Sequence, residues 1–408
     1  MRAIVGSLAL CLMTAIYLEV EFATVLTAFL ALFPVLLFVA YFSRLAIPSH
    51  EMAVLRKIYS STGGPGWNRN YGWEDLAGFF CDPASCHGLT IRDGHVVKID
   101  LEKNNLQGAI PPQIGQLRRL RVLKLGGNLL TGQLPAEIGQ CSSLTRCDLP
   151  HNMLSGSIPS SIGSCRRLEK LILSGNNLSG NIPHTIGKLK FLHALVLYGN
   201  ELSGSVPPCI GSFKYLHSFI ANNNRLSGPI PKTIGDGKSL TNFDLGANML
   251  TGSIPASLGK CDALVTLYLY DNQLVGQLPE SIGRMHALEH VDVSANHLTG
   301  PIPRSIGNLT CLKYFYAKQN KLSGSLPEEL GQLTALQVLN IKDNDISGTI
   351  PASIGKLRNL KYFEANNNSI TGTIPSCVAE LENIVSFSVE KNKLSVATFQ
   401  QQFLSGMV

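Results

Sequence analysis

Charge is scarce in this 408-residue chain: Asp, Glu, Lys and Arg make up 15% of it, and 34 basic against 28 acidic side chains leave a net charge of +6. Nucleic-acid binding needs a dense basic footprint, so DNA and RNA drop out as partners. Aromatic residues are also few, at 7% with only two Trp, which is unusual for an ordinary compact globule. Enzyme signatures are missing as well. Gly63-Gly64-Pro65-Gly66 is glycine-rich, but no preceding strand or following Lys-Ser/Thr makes it a phosphate loop. His286, His290, Asp292 and His297 lie close in sequence without a third metal ligand or a nucleophile beside them. No kinase, hydrolase or zinc pattern follows, so neither catalysis nor a cofactor is expected.

What the chain has in quantity is apolar residues, at 45%, with 38 Gly and 21 Pro. That composition excludes disorder and points to repetition. Asparagine recurs every 24 residues, at Asn104, Asn128, Asn152, Asn176, Asn200, Asn224, Asn248, Asn272, Asn296, Asn320, Asn344, Asn368 and Asn392. Four residues after each of the first twelve stands Gly (Gly108 to Gly372), and three further on stands Pro (Pro111 to Pro375). The unit is L-x-x-L-x-L-x-x-N-x-L-x-G-x-I-P-x-x-I-G-x-L.

Each part has a physical reading. Leu123-x-Leu125 alternates with period two, which predicts a short strand with one face inward. A buried Asn amide at the following turn can donate to and accept from main chain that the bend leaves unpaired. Stacked at about 4.8 Å, such amides would form a ladder. Gly supplies backbone freedom for the next bend, and Ile-Pro ends pairing on that side because Pro has no N–H. One turn cannot bury its own apolar face, so stacking supplies the core and the ends need caps.

The unit resembles the leucine-rich repeat family, and its L-x-G-x-I-P segment is similar to the plant-type subclass of receptor-like kinases, receptor-like proteins and polygalacturonase-inhibiting proteins. The resemblance implies an α/β solenoid, a superhelix of 24-residue repeats with a parallel concave sheet. Residues 48–95 would be an amino-terminal cap, on the strength of Leu55, Ser60 to Trp67, Trp73 and the start of Val96 to Leu101. Residues 96–395 would hold twelve full repeats and one partial repeat. Residues 396–408 would close the carboxyl end, with Phe399, Phe403 and Leu404 over the last layer. The family's cap usually pairs two cysteines around a Trp-x-Gly-Val-x-Cys motif. Here the motif runs from Cys86 to Ile91, with Ile91 where the final Cys belongs, so a cap disulfide would join Cys81 to Cys86 or be absent.

Residues 1–47 are different in kind. Ala3 to Leu18 follows Arg2 as in a secretory signal. Phe22 to Phe42 then gives 21 residues without a charge, enough at about 1.5 Å each to cross a hydrocarbon layer of about 30 Å. Neither Ala23 nor Ala46 is preceded by a small residue at the companion cleavage position, where Glu21 and Arg44 stand, so the span is expected to remain as an anchor. Arg44, Arg56 and Lys57 after it, with Glu19 and Glu21 before it, point to a cytosolic repeat domain. The resemblance points the other way, and the localisation adopted is the plasma membrane with extracellular repeats.

Ten Cys are present. Cys141, Cys165, Cys261 and Cys147 fall on apolar sites and read as small buried hydrophobes, although Cys141 and Cys165 on adjacent turns are within reach of a bridge. Asn177, Asn308 and Asn367 begin glycosylation sequons at about the number chance gives in so Asn-rich a chain.

Within each strand the outward residues lie six, four, two and one positions before the ladder Asn. Seven Tyr fall within the repeats, where chance would put about one on these sites; six are there, Tyr198, Tyr268, Tyr270, Tyr314, Tyr316 and Tyr362. Asp244, His290, Asp292, Lys318, Lys342 and Glu364 share the surface. Tyr with mixed charge suits recognition, giving contact area and a polar tip. On the flank, the tenth residue before the ladder Asn is basic at Arg118, Arg166, Lys190, Lys214, Lys238 and Arg358, thickened by Arg119, Arg121, Arg167 and Lys188. The expected function is a non-enzymatic, membrane-anchored, receptor-like protein. It would bind a peptide, protein or glycan on the concave face and signal through a partner kinase or co-receptor. The alternatives are a secreted inhibitor of a cell-wall-degrading enzyme and a structural or ice-binding solenoid.

Overall fold

A computed structural model describes residues 31–33, 47–77 and 83–395. The expected membrane span Phe22–Phe42 lies outside these residues except for 31–33, which are helical. Cys81 and the expected carboxyl-terminal cap at 396–408 also lie outside them. Among the described residues no helix is long and apolar enough to cross a membrane.

Among the described residues a 14-stranded sheet runs along the chain. Its first two strands, Leu89–Arg92 and His95–Asp100, are antiparallel. The rest pair in parallel, each residue with the one 24 positions on, as Leu123 with Cys147 and Leu267 with Val291. The middle residue of each short strand is buried and its neighbours are half exposed, as in Thr266–Tyr268, His290–Asp292 and Tyr314–Tyr316. That alternation puts the residues six and four places before the ladder Asn on the open face of the sheet.

The asparagines do what the turn requires. Asn152 Oδ1 accepts from Leu130 N at 3.0 Å, while its Nδ2 donates to Leu125 O at 3.0 Å, Leu149 O at 3.3 Å and Pro150 O at 3.2 Å. The same four partners recur at every ladder position through Asn392, whose amide reaches Ile370 N and the carbonyls of Ala365, Val389 and Glu390. Each amide thus ties its own turn to the preceding one, with the main chain of the bend satisfied internally. The first rung differs: Asn104 clasps the cap, accepting from Arg69 N at 2.7 Å and donating to Arg69 O at 2.9 Å.

Two expectations about the rest of the turn change. The segment after the ladder Asn is more than a bend, because residues such as Asn177–Asn181 and Glu201–Gly204 form further short parallel strands. Gly180 and Gly204 within them hold φ of 72°, a left-handed conformation that L side chains rarely adopt. The return path is also not α-helical. After each Ile-Pro the chain makes a five-residue 3₁₀ helix, such as Ala136–Gln140, with Pro135 extended at its N-cap. Five residues form too few hydrogen bonds to offset α-helix nucleation, and 3₁₀ geometry suits so short a piece. Hydroxyls stitch these segments together, as Ser281 Oγ donating to Ala256 O at 2.7 Å.

The core is continuous and shows compensating volumes. Where Phe219, Phe315 and Phe363 occupy the strand's central site, Ala221, Ala317 and Ala365 stand two residues later, and all six are fully buried. Leu171 and Leu173, or Leu267 and Leu269, fill the same two sites elsewhere, whereas Phe243 keeps Leu245 beside it, so the exchange holds for three of the four fully buried Phe layers. Cys141, Cys165 and Cys261 belong to this core as thiols, their Sγ donating to Ile114 O, Ile138 O and Ile234 O. The bridge within reach of Cys141 and Cys165 is not formed. Burial pushes the Cys141 thiol up to about 12.

The cap closes the amino end with the α-helix Ser49–Ser61, which buries Val54, Leu55 and Ile58. Tyr59, Trp67 and Trp73 cluster, the two Trp rings 5.0 Å apart, and each indole N–H finds a carbonyl, Thr62 O or His87 O, at 2.8 Å. Glu51 is buried and accepts from Val96 N at 2.8 Å, with His95 Nδ1 2.7 Å away. Cys86 is buried in this layer, while the Cys81 half of the expected cap disulfide lies outside the described residues.

Candidate concave recognition surface

Strand register lines up the candidate residues in rows. Four places before the ladder Asn, the row reads Asp244, Tyr268, Asp292, Tyr316, Asn340, Glu364 in adjacent strands. Six places before, it reads Asn242, Thr266, His290, Tyr314, Val338, Tyr362. The centre of this field is connected. His290 stacks on Tyr314 with ring centres 4.7 Å apart, and Tyr268 approaches it edge-on, its hydroxyl 3.4 Å from His290 Nδ1. Tyr268 also meets Tyr270 edge-to-face at 6.4 Å, a favoured geometry for two ring quadrupoles.

Tyr270 occupies the row two places before the ladder Asn, and its position depends on Gly246 in the neighbouring turn. A Cβ on Gly246 would sit 2.3 Å from Tyr270 Cε1, so only a missing side chain lets the ring lie there. Asn222, one turn further, opposes the rise of the Tyr270 hydroxyl as a polar neighbour. Burial pushes the Tyr268, Tyr270 and Tyr316 hydroxyls above their ordinary range, and the Asp244 and Asp292 charges add to this for Tyr268 and Tyr270. Burial likewise pushes Asp244 up to about 6, with the Gly246 N–H opposing and the Asp292 charge reinforcing. His290 is lowered by burial, so its neutral form is favoured.

The other candidates are more scattered. Tyr198 lies on the same face but beside His151, its hydroxyl 3.5 Å from His151 Nε2, away from the central group. Tyr362 is exposed at the far end, and Glu364 accepts from the Asn340 amide. Lys318 and Lys342 stand two places before their ladder Asn, in the row of Tyr270. Asn177, Asn308 and Asn367 are exposed, and Asn367 donates to Asp343 Oδ1 at 2.8 Å.

A feature absent from the sequence reading appears on the flank. Phe191, Tyr215, His193 and His217 stack, with Phe191 and Tyr215 6.4 Å apart, His193 and His217 5.8 Å apart, and Lys214 Nζ 5.3 Å over the Tyr215 ring. These residues sit nine and seven places before their ladder Asn, next to the basic row. Pairs of rings at equal phase in adjacent repeats were the available signal. Near the cap, Arg92, Arg119 and Arg121 surround a depression of about 350 Å³. Among the described residues no group of His, Cys, Asp and Glu is placed to hold a metal ion.

Comparison with known proteins agrees with this architecture. A family model described as Leucine Rich Repeat matches residues 119–141, 143–165, 167–189, 239–261, 263–285 and 287–309, and one described as Leucine-rich repeat region matches 303–403. Among solved structures, the plant peptide hormone receptor RGFR1 in complex with RGF2 is 40% identical, with a TM-score of 0.71, over 72% of this chain and 47% of that one. The PEPR1–AtPEP1 structure is 30% identical, with a TM-score of 0.74, over 84% of this chain and 52% of that one. The chain therefore spans about half the length of these two receptors. A plant ice-binding protein, 24% identical with a TM-score of 0.58 over 86% of this chain and 99% of that one, shares the fold. No curated protein matches the chain. The strand register, the asparagine ladder and the matched repeats together show that this chain belongs to the leucine-rich repeat family.

Proposed function

We propose that the chain is the recognition region of a membrane-anchored, receptor-like protein that binds a peptide on its concave face and acts through a partner kinase or co-receptor. The observation that carries this is the central concave field, where Tyr268, Tyr270, Tyr314 and Tyr316 surround His290 and two acids on a rigid sheet. Rigid aromatic side chains lose little entropy on binding and keep a polar tip for orientation. The likeness to peptide receptors supports a peptide over a glycan. The anchor at Phe22–Phe42 and the plasma-membrane location with extracellular repeats are parts of the same proposal, as are sugars on Asn177, Asn308 and Asn367.

Panning a random short-peptide display library on the full chain tests it. Selected peptides should lose all measurable binding to a Tyr268→Ala/Tyr316→Ala variant whose melting temperature stays near that of the parent. Unchanged affinity would remove the concave field from the function, and an equal loss of stability would show that these rings serve the fold.

A further inference from the structure

Four places before the ladder Asn, acids occur both near the cap and in the middle of the large sheet, but among the described residues only those near the cap meet a cation of the chain. Asp100 meets Lys98 at 3.0 Å and Lys124 at 3.7 Å, and Asp148 pairs with Arg146. Asp244 and Asp292 occupy the same register position, and among the described residues neither has a Lys, Arg or His within ion-pair distance. Both are held in the same way. Asp244 Oδ1 accepts from Gly246 N at 3.0 Å, and Asp292 Oδ1 accepts from Ser294 N at 2.9 Å, which fixes each carboxyl group through one oxygen. Tyr268 stands between them in register, with Tyr270 and Tyr316 alongside.

A second observation comes from Ser294, in the row two places before the ladder Asn and next to Asp292. It is 3% exposed, and its hydroxyl oxygen has no hydrogen-bond partner. Buried hydroxyls are seldom left so; Asp148 Oδ1 near the cap is also unpartnered, so the Ser294 orphan supports the subsite together with the uncompensated carboxylates beside it and not by itself.

We propose that Asp244, Tyr268, Tyr270, Asp292 and Tyr316 form a subsite for one cationic side chain of the bound peptide. This rests on the concave-face peptide reading above and names the chemistry that the face selects. A cation over the Tyr268 ring meets the negative face of its quadrupole. It also lies one strand step, about 4.8 Å, from the row position of each acid. Arginine fits better than lysine, because a flat guanidinium stacks on a ring and donates to acceptors on two sides at once. The lysines sharing the face do not fill the subsite from within, since neither Lys318 nor Lys342 forms an ion pair with these acids. Removal of the mutual repulsion between the two acids adds to the gain on binding.

The library selection described above is repeated on three full-length proteins: the parent, Asp244→Asn/Asp292→Asn, and Arg146→Lys as a charge-conserving control near the cap. The parent and the control should enrich Arg or Lys at one fixed peptide position, and the double variant should lose that preference. Changing the selected Arg to citrulline, its neutral isostere, should weaken binding to the parent at least about tenfold and leave binding to the double variant unchanged. Circular dichroism of the double variant should match the parent, and its melting temperature at neutral pH should be no lower. Peptides that bind with no basic preference, or a citrulline form that binds as well as the arginine form, would overturn the subsite and leave the peptide reading intact. Failure of every peptide to bind would overturn both.

Discussion

The cap end and the middle of the concave sheet are built from the same repeat and differ in how they treat charge. Toward the cap, carboxylates are consumed internally: Asp148 is buried against Arg146, and Asp100 shares Lys98 and Lys124. Ile172, Val196 and Ile220 then take the same register position. In the middle of the sheet, Asp244 and Asp292 alternate with Tyr268 and Tyr316, and among the described residues neither pairs with a cation. In a solenoid each repeat touches only its neighbours, so one stretch can specialise while the backbone frame stays constant. What differs between the cap end and the middle is whether a cation of the chain itself meets the carboxylates.

Substitutions at matched positions test this contrast. The largest stability effect is expected for Arg146→Met, which leaves the buried Asp148 charge without its partner and should cost about 3 kcal/mol in chemical denaturation. Asp244→Asn, at the same register position, should leave the melting temperature at neutral pH unchanged or raise it. If both variants lost stability alike, the contrast between the cap end and the middle would fail. The asparagine ladder provides the intermediate effect, since it is common to both regions. Asn152→Ala and Asn248→Ala should each cost about 1–3 kcal/mol, because either leaves the same set of backbone groups unsatisfied. A neutral Asn248→Ala would show that the ladder works only where it is most deeply buried.

The smallest effect is a pH dependence of unusual sign. Most carboxylates stabilise a fold above their pKa, but Asp244 has its pKa raised from 3.8 to about 6. The folded chain then binds a proton more tightly than the unfolded one, so this group's contribution increases as pH falls from about 6 toward 4. The titratable groups coupled to it are Asp292, Tyr268 and Tyr270, none of which supplies a positive charge. Melting curves of the parent and Asp244→Asn between pH 7 and pH 5 should converge as Asp244 takes up its proton (~pH 6). A constant difference would place the titration elsewhere.

Much of the frame was legible in the sequence because it is written many times over. An Asn at constant phase implies a ladder, and alternation around Leu123 or Leu267 tells which residues face outward. Less repetitive features were not legible. Five residues after Ile-Pro do not announce a 3₁₀ helix, and the Phe–Ala exchanges at Phe219/Ala221 and Phe315/Ala317 emerge only once the layers are stacked. In the candidate site, the outward placement of Tyr268 and Asp292 followed from period two. That Asp148 is neutralised and Asp244 is not depends on which long side chains fold back, information held in rotamers. Phe191 and Tyr215 were overlooked because they lie at the entrance to the strand, outside the rows counted for the concave face.

The ladder also has a mechanical consequence. Each asparagine clamps its own turn to the one before it and to nothing more distant. A pull on the carboxyl side therefore loads one rung at a time, as in a zip fastener. Every rupture would release one 24-residue turn, about 80 Å of slack at about 3.4 Å per residue, and the rest would remain under the same tension. Under steady tension such a chain would lengthen in even steps.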